Sequence, residues 1–345
     1  MDFSTVLRTL TEAPGVSGWE TGAAQSAAEL LKPYCDEVSC NARGSVLGRI
    51  TGPGPLFLLD AHIDQIGLVV TELCPDGFVR FDRCGGGDIR TLGGLEVAIH
   101  GTEDGYGIIE TVPPHLSNPE DKGRAKPCTE LAIDTGLSEQ HLRERAKLGD
   151  RVTFLSRFLE LPNGQISAAA LDDRAGVAVL IRTAEILEHR ANLALTFSVQ
   201  EEVAGNGAAT ALGHEVLSEK WDIPYTAIAV DVSFAWTPGC SRQETAELGK
   251  GPMIGCSPLL SHSVFEGIKQ AAVEHGTPYQ LEIMNGRTGT HADEIATSLG
   301  GVTTGLVSIP LKYMHTPAEV IATEDLENTA RLLADYILDE GGRAV

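Results

Sequence analysis

The chain reads as an α/β protein with a covered, largely parallel sheet, interrupted by a small β-rich insertion. Three observations predict this. Continuous apolar runs, "LFLLDAHIDQIGLVV" (56–70), "LALTFSVQ" (193–200), "YTAIAVDVS" (225–233) and "TTGLVSIP" (303–310), read as strands buried on both faces. Amphipathic patterns at 172–190, 261–276 and 323–338 place helices between or after them. From about 70 to 164 the composition shifts to Gly-rich, short alternating segments, typical of hairpins. The expected division is therefore a domain formed by 1–69 and 165–345, with 70–164 inserted.

Taken in order, the opening is helical. Ser17 to Glu20 has capping-box spacing, and "AAQSAAELLKPY" continues with helix formers as far as Pro33. Within the insertion only "SEQHLRERAKLGD" suggests a helix. Gly276 is placed to cap the helix that precedes it. With 345 residues, 42% of them hydrophobic, the core can be large.

Charge and cysteine content narrow the function. Forty-eight acids against 26 bases leave a net charge of −22, the wrong sign for phosphate contacts, so no nucleic-acid partner is expected. No apolar run approaches the ~20 residues of a membrane span. "MDFSTVLRTLTEAPG" lacks the basic-then-apolar pattern of a signal peptide, which makes the cytoplasm the expected compartment. Seven cysteines without a Cys-x-x-Cys pair indicate neither a disulfide framework nor a thiolate zinc site.

Chemistry-bearing residues cluster where apolar runs end, which is where open α/β sheets place their sites. His62 and Asp64 close the first run, Asp172 and Asp173 open a helix, Glu201 and Glu202 end a strand, Asp231 lies within "AIAVDVS", and His315 follows the last run. Singly, each has a plain explanation: Asp172 as a helix cap, His62 as a satisfied core histidine. Asp231 is harder to dismiss, because a carboxylate inside an apolar run needs a partner. Together these residues form the His and carboxylate set that a divalent-metal site needs, suited to zinc, manganese or cobalt. A pair of metals ~3.5–4 Å apart requires one bridging carboxylate. Asp64, two residues from His62, fits better as the acid that orients the imidazole than as a ligand. On a regular strand Glu201 and Glu202 would face opposite ways. Gly205 and Gly207 follow to permit a turn, so one glutamate can bind metal while the other moves a proton.

The motifs "DAHIDQIGLVV", "ALDDRAGVAVL", "VQEEVAGNGA", "AIAVDVS" and "IPLKYMHTPAEV" resemble, in order and over essentially the whole chain, the tetrahedral-aminopeptidase family. These are dinuclear metallo-aminopeptidases, called glutamyl or deblocking aminopeptidases and sometimes cellulases. The resemblance implies a phosphorylase/hydrolase-like α/β/α catalytic domain with zinc-peptidase topology. It makes 70–164 the inserted dimerisation domain, with "VPPHLSNPED" as a Pro-Pro-His turn. It implies two divalent metal ions per subunit, zinc ranking ahead of cobalt and manganese. His62 and Asp231 would hold one, Glu202 and His315 the other, with Asp172 bridging. Glu201 would be the general base and Asp64 the partner of His62. Substrates would be peptides with a free N-terminus, and the subunits would form dimers or hollow dodecamers. A metal-dependent deacylase or carboxypeptidase, and a binding scaffold that has lost catalysis, are the alternatives. A glycosidase ranks low, because two carboxyls suffice there without metal.

One departure stands out. The family commonly has Gly-Thr-Asp-Ala where this chain has "GTHAD", so His291 replaces an aspartate, either beside the substrate pocket or on the surface. Phe234 and Trp236 read as core, Cys74 and Cys240 as packing residues, and His100, His141, His189, His214 and His275 as solvated.

Overall fold

The computed structural model describes residues 1–113, 115–116 and 124–343. The "VPPHLSNPED" turn lies largely outside them. In chain order the helices are α1 (Phe3–Glu12), α2 (Thr21–Leu31), α3 (Glu139–Arg145), α4 (Leu171–Leu187), α5 (Glu201–Ala204), α6 (Gly207–Leu217), α7 (His262–His275), α8 (His291–Thr297) and α9 (Thr323–Arg343). The strands before the insertion are β1 (Glu37–Cys40), β2 (Val46–Ile50) and β3 (Leu56–His62). Those within it are β4 (Gly67–Leu73), β5 (Phe78–Cys84), β6 (Glu96–His100), β7 (Asp104–Ile109), β8 (Ile133–Asp134) and β9 (Arg151–Phe154). After it come β10 (Leu159–Leu161), β11 (Gln165–Ala168), β12 (Asn192–Ser198), β13 (Thr226–Phe234), β14 (Met253–Cys256), β15 (Gln280–Ile283), β16 (Thr304–Leu311) and β17 (Glu319–Ala322).

Eight strands form the main sheet in the order β1-β2-β12-β3-β13-β16-β14-β15. Its centre, β12-β3-β13-β16, is parallel, as the apolar runs predict. Its flanks are not: β1–β2, β2–β12 and β14–β16 are antiparallel, so the sheet is mixed. The short β1–β2 connection explains the first of these, since a parallel pair needs a crossover. The run 56–70 is not one strand either. β3 ends at His62, and the chain leaves the sheet to begin β4 in a separate, closed antiparallel barrel, β4-β5-β8-β7-β6-β9. Leu68, Val79, Phe81, Ile133 and Val152 fill that barrel. A third, three-stranded sheet, β10-β11-β17, sits beside the start of α4.

The two faces of the central strands differ. Phe57, Leu59 and Ala61 of β3, Ile228, Val230 and Val232 of β13, and Val307 and Ile309 of β16 pack in one large core with α1, α2, α4, α7 and α9. The alternate residues face α6 and α8, where Leu58, Ala194 and Ala227 make a smaller cluster. By the two-residue period, that second face also carries Asp60, His62, Thr196, Ser198, Asp231, Ser233 and Ser308. All of these are buried.

Gly276 closes α7 in the left-handed region, with φ of 71°. The capping box at 17–20 does not cap. α2 begins after Glu20 without a side-chain cap, and the Ser17 hydroxyl instead donates to buried Asp64 at 2.6 Å. A fully buried carboxylate has more to gain from that hydroxyl than a solvated helix end does.

Candidate metal centre

The C-terminal ends of β3, β12 and β13, the start of α4 and the loop after β16 converge on one cavity of about 760 Å³. His62, Asp172, Glu201, Glu202, Asp231 and His315 all line it. Asp172 is central: its Oδ1 lies 3.0 Å from His62 Nε2 and its Oδ2 lies 3.2 Å from His315 Nε2. On the His62 side, Asp231 Oδ1 stands 3.9 Å from the same Nε2. On the other side Glu202 Oε1 is 3.5 Å from His315 Nε2.

Local backbone explains the convergence. β12 stops at Ser198, Gln200 turns into the left-handed region with φ of 62°, and α5 starts with both glutamates in its first turn. Their orientation is fixed from behind by Asp64, which accepts from Glu201 N at 3.0 Å and Glu202 N at 3.2 Å. A carboxylate at the start of a helix turn satisfies free N–H groups there. Gly205 (φ 67°) ends the turn, and Gly207 packs so tightly on Val199 that a Cβ would lie 1.9 Å from its carbonyl oxygen. Arg174, fully buried, donates to the carbonyls of Ile63, Leu10 and Ala13, tying the loop after His62 to α1.

His62 is oriented chiefly by the Asp64 backbone carbonyl, 3.1 Å from Nδ1, with the Asp64 carboxylate at 3.5 Å. His315 directs Nδ1 at the Gly86 carbonyl of the barrel unit, 3.3 Å away. In both rings the outer nitrogen is held by a carbonyl and Nε2 turns inward, the arrangement that metal-binding imidazoles use.

The titration behaviour follows from crowding carboxylates in a dry place. Burial, reinforced by Asp172, pushes Glu202 up to about 8. Burial likewise raises Glu201, Asp173 and Asp231. Burial opposes the low value of Asp172, but hydrogen bonds from His315 and His62 outweigh it and hold that carboxyl well below the usual range. Burial also opposes charge on His315, yet the Asp172 hydrogen bond and the Glu202 charge bring it up to about 9. His62 is raised well above its ordinary value despite burial, by the carboxylates of Asp172 and Asp64. The carboxylates facing this cavity outnumber its two imidazoles, and no lysine or arginine lines it among the described residues. Asp173 Oδ2 is buried without a partner. Such a donor set fits divalent cations. His62 with Asp172 and Glu202, and His62 with Asp173 and Asp231, are each close enough to hold one. The two groupings share His62, and His315 meets Asp172 and Glu202.

The profile of the M42 glutamyl aminopeptidases matches residues 44–332. The chain belongs to this family. It is 32% identical over 342 residues to the lysyl aminopeptidase of Pyrococcus furiosus, covering 97% of this chain and 96% of that one. An aminopeptidase from the archaeon Desulfurococcus kamchatkensis superposes with a TM-score of 0.90 at 31% identity, over 99% of this chain and 95% of that one. The TET1 peptidase of Pyrococcus horikoshii, which can assemble into a tetrahedron or a large octahedral shell, gives 0.85 at 28%, over 97% and 99%. The M42 member described here is thus an aminopeptidase, a metallo-hydrolase acting on peptides, with a mixed central sheet and an inserted antiparallel barrel.

Several participants were not assigned from sequence. Glu319, 2% exposed, accepts from Asp172 N at 3.1 Å and His315 N at 2.9 Å, and so positions both. Only its place four residues after His315 hints at this. Asp173 was visible in the Asp-Asp pair but had no role attached. His291 is not a surface residue: it is 2% exposed, and Nδ1 meets Ser198 Oγ at 2.8 Å and Asp60 Oδ2 at 3.1 Å. The loop just before it, Thr288 to Thr290, lines the cavity and is held by Asp293. Phe234 is 59% exposed and lines the cavity, not the core. Trp236 is partly buried, with the Arg242 guanidinium stacked on its ring. Cys240 is exposed rather than packed, and the His100 ring is covered by Trp19 at 4.7 Å.

Proposed function

We propose that this aminopeptidase uses two divalent metal ions, with His62 and Asp231 on one, Glu202 and His315 on the other, and Asp172 between them. The observation that carries this is the Asp172 carboxylate, whose two oxygens face two different imidazoles. Bound there, the ions would supply a water acidic enough to be hydroxide near neutral pH and a Lewis acid for the scissile carbonyl. Glu201 is the general base: it takes the proton of the attacking water and returns it to the leaving amine. Its burial, which raises its pKa, suits a group that must both accept and donate. Asp64 holds Glu201 and Glu202 through their backbone amides and His62 through its ring. Zinc ranks ahead of cobalt and manganese for this His and carboxylate set.

The test is Glu201→Gln. Metal content by elemental analysis should be unchanged, while turnover of aminoacyl anilides falls by roughly 10²–10⁴-fold. Activity within a factor of a few of the parent would remove Glu201 as the base. We further assign residues 70–164 as a dimerisation unit inserted into an α/β/α catalytic domain of zinc-peptidase topology, formed by 1–69 and 165–345. Homo-oligomers like those of the TET relatives then follow, and sedimentation velocity tests this. The seven free cysteines agree with a cytoplasmic location.

A further inference from the structure

The family name specifies a glutamyl substrate and the P. furiosus relative a lysyl one, and the cavity itself carries the information to choose. Beyond the metal-facing carboxylates it extends toward β15, where Glu282 lies half-buried in its wall. Ser233 Oγ donates to Glu282 Oε1 at 2.5 Å and Ser308 Oγ donates to Oε2 at 2.7 Å. Two hydroxyls from buried serines thus fix the carboxylate, and each oxygen keeps a lone pair for another donor. Among the described residues no lysine or arginine lines the cavity, and Arg287, next to cavity-lining Thr288, pairs with Asp293 and Glu294 instead.

We propose that Glu282 selects substrates whose N-terminal residue has a cationic side chain, lysine or arginine. The inference rests on the aminopeptidase reading, in which the substrate's α-amine sits at the metal-facing carboxylates. Asp231 and Ser233 are two apart on the same face of β13, roughly 6–7 Å along the strand. That spacing suits a residue whose α-carbon is at the metal centre and whose four-carbon stem carries a charge at its tip. Met253, Met284 and Leu306 give the stem apolar walls. The ammonium or guanidinium then meets an anchored carboxylate in a charge-assisted hydrogen bond. A glutamyl side chain would face Glu282, and Glu244 nearby, with like charge and no cation to receive it. A leucyl side chain would fill the apolar part and leave Glu282 to water.

A purely structural Glu282, joining β15 to β13 and β16 through the serines, predicts lower stability on substitution but no change in selectivity. The experiment measures kcat/KM of the metal-loaded enzyme on lysyl, arginyl, leucyl and glutamyl anilides, for the parent and for Glu282→Gln, which keeps an acceptor for a serine. The parent should favour lysyl and arginyl substrates. The variant should lose roughly 10–100-fold on these while its leucyl rate stays within a factor of about three. A parent that prefers glutamyl, or an unchanged lysyl-to-leucyl ratio in the variant, overturns the inference. Calorimetry on Glu201→Gln protein, with and without Glu282→Gln, measures lysinamide against norleucinamide binding independently of turnover. Tighter lysinamide binding that depends on Glu282 supports the inference even if the proposed catalytic roles fail. Leucyl turnover without a lysine advantage sinks the inference and leaves those roles standing.

Discussion

Glu319→Ala is the perturbation that most directly tests how the centre is held. Glu319 does not line the cavity; it accepts the amides of Asp172 and His315 from a position 2% exposed. Removing it leaves two buried N–H donors without acceptors, at roughly 1–3 kcal/mol each, so about 2–6 kcal/mol in all. Against a total stability of about 5–15 kcal/mol that is a large loss. Because the two amides belong to Asp172, the proposed bridging carboxylate, and to His315 on its far oxygen, the proposal predicts that metal affinity falls as well, by about 10–100-fold. A tenfold loss corresponds to about 1.4 kcal/mol, so the destabilisation measured with saturating metal should exceed that of chelated protein by about 1.4–2.8 kcal/mol. Urea unfolding followed by circular dichroism, with and without zinc, gives both numbers. Glu319→Gln keeps one acceptor oxygen and should fall between parent and alanine. A Glu319→Ala protein within ~0.5 kcal/mol of the parent, binding metal equally well, would refute the positioning argument.

Other outcomes follow from the same geometry. Gly207→Ala must displace either α6 or the turn at Val199, since its Cβ would meet that carbonyl at 1.9 Å; kcat should fall roughly 10–100-fold, and an unchanged kcat would show that the turn is slack. Burial raises Glu202 to about 8, and against burial the Asp172 hydrogen bond brings His315 up to about 9, so this neighbouring pair retains a proton at neutral pH in metal-free protein, which a cation bound by these proposed ligands displaces. Metal affinity should therefore rise with pH between 7 and 9. Calorimetry at pH 7 in buffers of different ionisation enthalpy should detect the released protons, and no buffer dependence would contradict the assignment. On the opposite face, hydrogen bonding to Arg182 lowers Glu327 below its ordinary 4.5. A depressed carboxylate contributes stability above its ordinary value and loses it as pH falls through the lowered one. Glu327→Gln should thus cost on the order of 1 kcal/mol at pH 7 and nothing in strong acid, and an equal cost at both would assign the effect to packing.

The parallel centre of the sheet was legible because its strands are near-continuous apolar runs, and the β-rich insertion because its segments are short, alternating and rich in Gly; its closure into a barrel was not. The ligand candidates were legible for a related reason. In "LLDAH" and "AVDVS" the polar residues fall two apart, on the face that does not pack against α4; His62 and Asp231 line the cavity there, while Asp60 is buried against His291 and Ser198. What stayed hidden depends on partners far away in sequence. Glu319 looks like a solvated acid until β17 brings it under the start of α4. Asp60 and His291 are 231 residues apart, and only the folded chain pairs them. Ser17 satisfied a local capping rule and obeyed a buried carboxylate instead.

The Gly86 carbonyl that receives His315 Nδ1 belongs to the loop that follows β5 of the barrel, whereas the imidazole hangs from the main sheet. Gly86 also comes so close that a Cβ there would lie 2.8 Å from that nitrogen. The proposed metal centre therefore draws on both units: its His315 ring is oriented by a carbonyl of the barrel. On that proposal metal affinity becomes a gauge of how barrel and sheet are docked, and a bound ion would act as a clasp between them. A chain with the barrel excised could keep its large core and still bind metal poorly.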